Sequence, residues 1–445
     1  MRVPRYRGVV DAFAAQIRGG RWPAGARLPT HRQLAADEGI ALVTASRVYA
    51  ELAAMGLVSC EQGRGTFVRD PATAPGTGID QQSVAVDATD LSFNSPSVPG
   101  QADLLRRALR DLSTSGDVDA LLGYQPHRGR VDDRAAVARH LRRRGLDVGR
   151  DRVLIVNGAQ HGLAVAATAL LRPGDVVAVD AVTYPGFAVL ARTLGLELAP
   201  LPADGSGPDP DALDRLCARR RVRAVYAMPT LHNPLGWVLD DARRARLVSV
   251  ARRHELSIIE DASYAYLVED APPPLAVLAP ERTTYVSGLS KSVATGLRIG
   301  FVVAPGPLVP ALERAIRVTA WNTPALTMAI ARRWLDDGTV DRLEERKRAD
   351  ARRRQEVARE VLDGLAHVGH PSSYFLWLPL PVGARPDRIA AALARRRVAV
   401  STAEPFATTR PAPPALRLAL GSVGLPELRD ALGAVRSEVE QDAHR

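Results

Sequence analysis

From residue 91 onward, short apolar runs alternate with amphipathic stretches, and this alternation constrains the fold more than any other feature. The runs "RVLIVNG", "DVVAVD", "AVYAMP", "LSIIEDA", "TTYVSG" and "IGFVVAP" are brief and rich in β-branched residues. Stretches with helical spacing, such as "HGLAVAATALL" and "DDARRARLVSVARRHE", lie between several of them. Such alternation predicts an α/β fold, with a mostly parallel sheet sandwiched by helices. Ligands of such sheets bind at the carboxyl ends of the strands.

Residues 1–70 have a different pattern. Three helical stretches are followed by "LVSCEQGRGTFVRD", two β-prone runs around a Gln-Gly-Arg-Gly turn. Thr30 is predicted to be the N-cap of the second helix and Thr44 the N-cap of the third. Three helices and a hairpin, in this order, predict a winged helix-turn-helix domain.

The remaining boundaries follow from composition. Residues 71–90 are rich in Pro, Ala, Gly and Thr, which predicts a flexible linker. The large α/β domain is expected at about 120–330. A smaller α+β domain is expected from 91–118 and 340–445, the latter opening with the charged helix "DRLEERKRADARRRQEVARE".

The net charge is +10, from 59 Lys and Arg against 49 Asp and Glu. This balance favours an anionic partner, nucleic acid first. Together with the predicted winged helix-turn-helix domain, it gives double-stranded DNA as the expected partner. An alternative is a genome that prefers arginine codons, which explains arginine over lysine but not the excess of bases over acids.

Two cysteines, Cys60 and Cys217, are too few for a disulfide framework and fit a reducing compartment. The N-terminal "MRVPRYRGVVDAFAAQ" lacks the apolar core of a signal peptide. No apolar run approaches the roughly 18 residues of a membrane span. We expect a soluble cytoplasmic protein with no membrane contact and no metal site.

The third helix of a winged domain enters the major groove with its N-terminal residues, and the wing contacts the neighbouring backbone or minor groove. Residues 1–70 hold ten arginines and six acidic residues. Any one of these arginines has an ordinary alternative as a solvated surface residue. The predicted DNA-binding residues lie on the second helix, the third helix and the wing: His31, Arg32, Val43, Thr44, Ser46, Arg47 and Arg64.

The segment "LPTHRQLAADEGIALVTASRVYAELAAMGLVSCEQGRGTFV" resembles the DNA-binding domain of GntR-type bacterial regulators. That pattern runs Leu-Pro-Ser-x-Arg-x-Leu-Ala, a Thr-led recognition helix, Gly-Leu, and Gly-Arg-Gly-Thr-x-Val. Thr30 replaces the usual serine, and Ala41 replaces a small polar residue.

The 59 basic Lys and Arg residues include two lysines, Lys291 and Lys347. A lysine amine can lose its proton and form an imine with a carbonyl, whereas arginine stays protonated. Lys347, within "EERKRAD", is predicted to be a solvated surface residue, and chance is the alternative for Lys291. Lys291, however, follows the β run "TTYVSG" and therefore lies near the carboxyl end of a strand.

The neighbours of Lys291 predict a pyridoxal 5′-phosphate (PLP) site. Ser287 and Ser290 offer hydroxyls, and Arg298 offers a fork for a phosphate. Asp261 could hold the pyridine nitrogen protonated. Each of the other groups such a cofactor needs has a candidate, although each could also be a cap, core or turn residue: Asn233 and Tyr264 for the phenolate oxygen, Tyr184 for the ring face, and Gly158, Ala159 and Gln160 for the phosphate at a helix start.

From about Leu91 to the end, these motifs and their order resemble fold-type I PLP enzymes of the class I aminotransferase family. The resemblance implies that Lys291 is the internal aldimine lysine and that Asp261 pairs with the pyridine nitrogen. It implies the following further roles: Asn233 and Tyr264 at the phenolate oxygen, Tyr184 on the ring, Ala159, Gln160, Ser290 and Arg298 at the phosphate, Tyr124 at the phosphate of the partner subunit, and Arg417 at a substrate α-carboxylate.

Three positions depart from that family's pattern. Gly288 stands where a phosphate-binding serine or threonine is usual, so Ser287 or Ser290 has to supply the hydroxyl. Thr295 replaces a proline before Gly-Leu-Arg, and Leu235 replaces a common threonine.

A GntR-type reader joined to an aminotransferase-like domain resembles the MocR subfamily of transcription regulators. The resemblance implies a homodimeric, PLP-dependent regulator that binds promoter DNA and senses an amine or amino acid through an external aldimine. One alternative is an active aminotransferase acting on an amino acid. Another is a sensor for which PLP itself is the signal.

Overall fold

A computed structural model of the chain describes residues 5–23, 25–61, 65–69, 88–115, 118–409 and 411–444. The chain forms two compact units. The first unit contains residues 1–93, 357–368 and 377–445, and the second contains residues 94–356 and 369–376.

The first unit begins with three helices and a hairpin, in the order that the sequence predicts. Val58 pairs with Val68 across the antiparallel hairpin, while Phe13, Leu34 and Leu52 are buried between the helices. The elements are α1 (Arg5–Arg18), α2 (His31–Asp37), α3 (Leu42–Ala54), β1 (Val58–Glu61) and β2 (Gly65–Val68). Arg64 and residues 70–87, which include most of the predicted linker, lie outside the described residues.

The two predicted helix caps have different outcomes. The Thr30 hydroxyl accepts a hydrogen bond from the Gln33 amide nitrogen, and the Gln33 side chain accepts one from the Thr30 amide. This reciprocal capping box confirms Thr30 as the N-cap of α2. The prediction that Thr44 caps α3 is wrong, because the chain turns helical at Leu42 and Ala41 occupies the N-cap position without a side-chain bond.

The second unit is built around a seven-stranded sheet of order β4-β12-β11-β10-β9-β5-β6. All paired strands are parallel except β12, which runs antiparallel to both of its neighbours. The mostly parallel sheet of the prediction is therefore confirmed. Between residues 89 and 361 the chain forms, in order, β3 (Thr89–Leu91), which belongs to the first unit, and then α4 (Gln101–Ser115), α5 (Asp119–Leu122), α6 (Val131–Arg143), β4 (Val153–Val156), α7 (Gly158–Leu170), β5 (Val176–Asp180), α8 (Pro185–Thr193), β6 (Glu197–Leu201), β7 (Ala203–Asp204), β8 (Gly207–Pro208), α9 (Pro210–Arg219), β9 (Val222–Ala227), α10 (Asp241–Arg253), β10 (Ser257–Asp261), α11 (Leu275–Leu278), β11 (Thr283–Gly288), β12 (Gly300–Val303), α12 (Val309–Thr319), α13 (Ala325–Asp336) and α14 (Thr339–Val361), whose last residues belong to the first unit.

The rest of the chain adds a smaller mixed layer of strands and helices. The elements are β13 (Phe375–Pro379), α15 (Pro386–Arg395), β14 (Val398–Thr402), β15 (Ala415–Ala419) and α16 (Leu425–Ala443). The four-stranded sheet has the order β13-β15-β14-β3, with Val398 of β14 pairing in parallel with Thr89 of β3.

Both faces of the large sheet are buried, as its continuous apolar strands require. Alternate residues of a strand enter opposite cores because side chains alternate across a sheet. Val156 and Val302 lie in one core, while Ile155 and Phe301, one residue away on the same strands, lie in the other. No helix in the described part of the chain is both long and apolar enough to span a membrane.

Glycines line the contact between the end of β11, the start of β12 and the start of α7. Gly288 pairs with Gly300 across the two strands. A Cβ atom on Gly300 would lie 2.5 Å from the Gly158 carbonyl carbon, and one on Gly288 would lie 2.8 Å from the Ile299 oxygen. This backbone packing explains why position 288 carries no hydroxyl side chain.

We predict that Thr30→Ala lowers the stability of the N-terminal domain by about 1 kcal/mol, because the α2 amides lose their cap. Chemical denaturation followed by circular dichroism would measure the change. Thr44→Ala is the matched control and is expected to be neutral or slightly stabilising, since alanine favours a helix more than threonine. Equal losses in both variants would contradict the cap assignment.

We predict that Gly288→Ser destabilises the protein by about 1–3 kcal/mol, because the new Cβ overlaps backbone atoms that cannot move independently. Thermal unfolding of the full chain would report the loss. Gly296→Ala is the control, since a Cβ there has no neighbour within 4 Å among the described residues. A serine variant as stable as the parent would contradict the close packing of the three glycines.

Candidate functional site

Lys291 lies just beyond β11 and is partly buried. Its Nζ donates a hydrogen bond to the Asn94 carbonyl oxygen at 2.5 Å. Its own carbonyl oxygen accepts a hydrogen bond from the Tyr266 hydroxyl at 2.9 Å. Both the amine and the backbone of this lysine are therefore held in place.

Asp261 is the last residue of β10, and its side chain is buried. One carboxylate oxygen accepts from the Ser263 amide (3.0 Å) and hydroxyl (2.6 Å), and the other accepts from the Tyr226 hydroxyl (2.9 Å). Burial raises the pKa of Asp261, while Ser263, Tyr226 and His232 act in the opposite direction. A buried carboxylate of this kind is suited to pair with a cationic ring nitrogen.

Tyr226 was not found by sequence reasoning, because its run "AVYAMP" is apolar apart from this hydroxyl. Its ring stacks on Phe187 with centroids 3.9 Å apart and planes 4° apart. Burial and the neighbouring Asp261 raise the pKa of Tyr226 well above the ordinary value, so the phenol stays a donor. Tyr226 thus orients the Asp261 carboxylate.

His232 and Asp180 form a second buried polar pair that the sequence did not reveal. The His232 Nε2 lies 3.1 Å from the Asp180 Oδ2. The imidazole stacks on Trp237 with centroids 4.1 Å apart. Asp180 is the last residue of β5 and His232 follows β9, so the pair lies at the same edge of the sheet as Asp261.

The two serines proposed for a phosphate site have different surroundings. The Ser287 hydroxyl is buried and donates to the Ala262 carbonyl at 3.1 Å. The Ser290 oxygen instead accepts from Arg298 Nη1 at 3.1 Å, and Arg298 Nη2 donates to the Asn157 carbonyl at 3.2 Å. Ser290 and Arg298 therefore lie together beside the start of α7.

Several polar atoms near these groups are buried without a hydrogen-bond partner among the described residues. They include Asn157 Oδ1, Gln160 Oε1 and Asn233 Oδ1. The Gln160 amide nitrogen donates to the Gly186 carbonyl at 3.0 Å, so its side-chain position is fixed. Buried polar atoms normally have partners, so these oxygens are available to a bound polar molecule.

The aromatic candidates lie on three different segments. Tyr184 precedes α8, and its ring lies against Gly186, where a Cβ would come within 2.5 Å of it. Tyr264 is buried and meets the edge of Phe375 with centroids 5.0 Å apart. Tyr124 is 87% exposed, with its ring centroid 5.8 Å from that of Trp321.

The topology brings most of these residues to one edge of the large sheet. The residues of the predicted site lie at the ends of the parallel strands β4, β11, β10, β9 and β5 or in the segments that follow them: Gly158, Ala159 and Gln160; Ser290 and Lys291; Asp261, the last residue of β10, and Tyr264; Asn233; and Tyr184. Arg417 lies on β15 in the other unit. It is buried and donates to the Ser92 carbonyl at 2.9 Å.

The prediction that Lys347 is a solvated surface residue is wrong. Its side chain has no exposed surface, and its Nζ donates to three carbonyl oxygens, those of Pro96, Lys291 and Val293. The charged neighbours in "EERKRAD" concealed that position 347 faces the interior. Periodicity alone could have indicated this, because Val340, Leu343 and Ala351 of the same helix are buried.

The start of α3 presents a surface of mixed character. Val43 is 82% exposed, and Arg47 lies with its guanidinium 4.4 Å from the centre of the Tyr6 ring. The Ser46 hydroxyl donates back to the Leu42 carbonyl at 3.1 Å. His31, at the start of α2, meets the Tyr49 ring edge-on at 4.8 Å. Arg32 and Thr44 lie on the same two helices, and Arg64 lies outside the described residues.

Comparison with known proteins identifies both parts of the chain. Residues 86–435 match the aminotransferase class I and II family, and residues 5–68 match the gntR family of bacterial regulatory proteins. The chain is 29% identical to the HTH-type transcriptional regulator TauR of Rhodobacter capsulatus, over 82% of each protein. It is 26% identical to the probable rhizopine catabolism regulatory protein MocR of Rhizobium meliloti, over 76% of this chain and 72% of that one.

A solved structure gives the same assignment for the larger part. LysN, an α-aminoadipate aminotransferase from Thermus thermophilus, superposes with a TM-score of 0.74 at 26% identity, covering 83% of this chain and 97% of LysN. The winged helix-turn-helix and the fold-type I architecture of the prediction are thus confirmed. The chain belongs to the aminotransferase class I and II family and carries a GntR-family regulatory domain ahead of it.

Proposed function

We propose that this protein is a PLP-dependent transcriptional regulator. It binds promoter DNA through residues 1–70 and senses an amino compound at the PLP site of its aminotransferase-like domain. The observation that carries the proposal is the joining, in one chain, of a GntR-family domain to an aminotransferase-family domain in which Asp261 ends one strand and Lys291 follows the next.

The residues at the edge of the large sheet fit PLP. When bound, PLP supplies an aldehyde that combines reversibly with primary amines. Lys291 would supply the protein's amine, and the Asp261 carboxylate would pair with the ring nitrogen and keep it protonated. The unpartnered buried oxygens of Gln160 and Asn233 support the presence of a polar ligand here.

The phosphate of the cofactor is assigned to Ser290, Arg298 and the first amides of α7, those of Ala159 and Gln160. Arg298 offers a bidentate fork, and the helix start offers free N–H groups. The contact between Arg298 and Ser290 supports Ser290, rather than Ser287, as the source of the hydroxyl.

The remaining residues are assigned to the PLP ring, to the phosphate of the partner subunit and to the effector. Tyr184 would stack on the ring, while Asn233 and Tyr264 would donate hydrogen bonds to the phenolate oxygen. Tyr124 reaches the phosphate held by the partner subunit of a homodimer, and its 87% exposure in one chain supports a role at such an interface. Arg417 binds the carboxylate of an amino-acid effector.

Within the first unit, ion pairs join α1 of the winged domain to α15 of the smaller layer. Arg18 Nη2 lies 2.6 Å from Asp387 Oδ2, and Arg385 pairs with Asp11. Burial alone would raise the pKa of Asp387, yet Arg18 and Arg385 lower it below the ordinary value. Through these ion pairs, an effector that favours one conformation of the smaller layer would also favour one conformation of the DNA-binding domain.

Active transamination is the second candidate function. It is favoured by the presence of Lys291, Asp261 and Tyr264, the groups that the family's chemistry requires. Purified protein with PLP and a panel of amino acids and keto acids separates the two. Multiple turnovers without any effect of ligand on DNA affinity would support the enzyme, and ligand-dependent DNA affinity without turnover would support the regulator.

We predict that Arg47→Ala weakens promoter binding by about 1–3 kcal/mol, because a base or phosphate contact of α3 is lost. Arg32→Ala is expected to weaken binding to all sequences and to reduce the salt dependence by about one phosphate contact. Fluorescence anisotropy at several salt concentrations measures both. Arg353→Ala, an exposed cation on α14, is the control and is expected to bind DNA like the parent.

We predict that Lys291→Ala abolishes the effect of amino compounds on DNA affinity and leaves the affinity of the ligand-free protein unchanged. The reason is that the amine that holds the cofactor is lost, while the winged domain is untouched. DNA titrations with and without ligand, on parent and variant protein, test this. A variant that still responds to the ligand would contradict sensing at Lys291.

A further inference from the structure

We propose that Lys347 is a positioning residue for Lys291. Its buried amine binds both the backbone from which the Lys291 side chain extends and the backbone segment that accepts the Lys291 amine, and it thereby fixes the two ends of that side chain. The inference deepens the proposed function and rests on it in one respect, that Lys291 is the amine that holds the cofactor.

The surroundings of Lys347 saturate its hydrogen-bonding capacity. Its Nζ donates to the carbonyl oxygens of Val293 at 2.7 Å, Pro96 at 2.8 Å and Lys291 at 3.1 Å. An ammonium has three N–H donors and no acceptor, so three carbonyls match its charged form. A neutral amine has two N–H donors and would leave one of these carbonyls without its donor.

The three carbonyls belong to the two segments between which the Lys291 side chain extends. Lys291 and Val293 lie on the segment where the side chain starts. Pro96 lies two residues from Asn94, whose carbonyl accepts the Lys291 amine at 2.5 Å. One nitrogen, that of Lys347, therefore holds both the backbone of Lys291 and the segment that accepts its amine.

Other side chains bind the same segment from different directions. The Tyr266 hydroxyl donates to the Lys291 carbonyl at 2.9 Å, and the Gln101 amide donates to the Val293 carbonyl at 2.7 Å. Two further contacts join this segment to the one that holds Pro96: the Gln101 side-chain oxygen accepts from the Val98 amide at 2.7 Å, and the Ser95 and Thr295 hydroxyls lie 3.3 Å apart. Lys347 differs from both because a single nitrogen binds the Lys291 carbonyl itself together with that of Pro96.

The use of lysine at position 347 follows from shape. The chain uses arginine at another buried site, where Arg244 spreads its planar fork over the carbonyls of Leu239, Pro229 and Pro273. At position 347 the three carbonyls instead converge on one point. A compact ammonium fits that arrangement and a guanidinium does not.

The hydrogen bonds of the Lys347 amine depend on pH, because the amine has three N–H donors only in its charged form. Burial and the positive charge of Lys291 lower the pKa of Lys347 to about 7, and Asp350 and Glu344 oppose the shift. The phenols of Tyr266 and Tyr374 also face this region and stay protonated, since burial raises the pKa of both. As the pH rises through about 7, Lys347 loses a proton, one carbonyl loses its donor, and the Lys291 segment loosens.

The test compares Lys347→Met with Arg353→Met, an exposed cation on the same helix, in the full chain. Attachment of PLP to the Lys291 nitrogen, with loss of water, is followed by absorbance across a pH series. We expect Lys347→Met to bind PLP roughly 10- to 100-fold more weakly, up to the loss that a misplacement of about 1 Å produces. We expect the PLP affinity of the parent and of Arg353→Met to change with pH near pH 7, and the affinity of Lys347→Met to lack that change.

A second readout needs no cofactor. The lysine amines of the chain are those of Lys291 and Lys347, so peptide mapping after reaction with an amine-selective reagent assigns the Lys291 rate directly. That rate should change near pH 7 in the parent protein. If Lys347→Met does not fold, this measurement on the parent still tests the inference. A Lys291 labelling rate that shows no change near pH 7 would overturn it.

Parent-like PLP binding and an unchanged pH profile in folded Lys347→Met would also overturn it. A different result would show that Lys291 is not the amine that holds the cofactor: Lys291→Ala would then bind PLP like the parent. In that event the labelling rate of Lys291, measured without PLP, still reports whether Lys347 positions it.

Discussion

The parallel course of five strands is the constraint on which the candidate site depends. β4, β11, β10, β9 and β5 all end at one edge of the large sheet, so the segments that follow them converge there although they are far apart in sequence. The antiparallel strand β12 completes the edge by packing Gly300 against Gly158 and Gly288. Because backbone meets backbone at this point, the start of α7 comes close to Arg298 and Ser290.

Buried polar groups then fix the side chains that the sheet brings together. Asp261 has both carboxylate oxygens engaged, and Tyr226 and Ser263 determine its orientation. Lys291 is constrained at its amine and at its carbonyl. Such bonds are strong inside a protein and costly to leave unmade, so the site is held in shape by the fold itself.

Much of this could be read from the sequence, and the parts that could not have physical reasons. Strand positions, the hairpin and the Thr30 cap followed from local patterns, and Lys291 and Asp261 stood out because their chemistry is rare in these contexts. Tyr226 and Lys347 were missed because their roles depend on partners 35 and 56 residues away. The Thr44 cap failed because local propensity does not determine at which residue the chain turns helical.

The two lysines illustrate how a fold assigns different work to one residue type. The Lys291 amine lies at the sheet edge on the Asn94 carbonyl, a partner that it can exchange for another. The Lys347 amine is enclosed by three carbonyls, and in its charged form all three of its N–H groups are engaged. Because one of those carbonyls is that of Lys291 itself, the enclosed amine fixes the place from which the other one acts. In a chain whose other basic side chains of this kind are arginines, lysine stands at two positions where a compact, titratable cation fits and a permanent planar one does not.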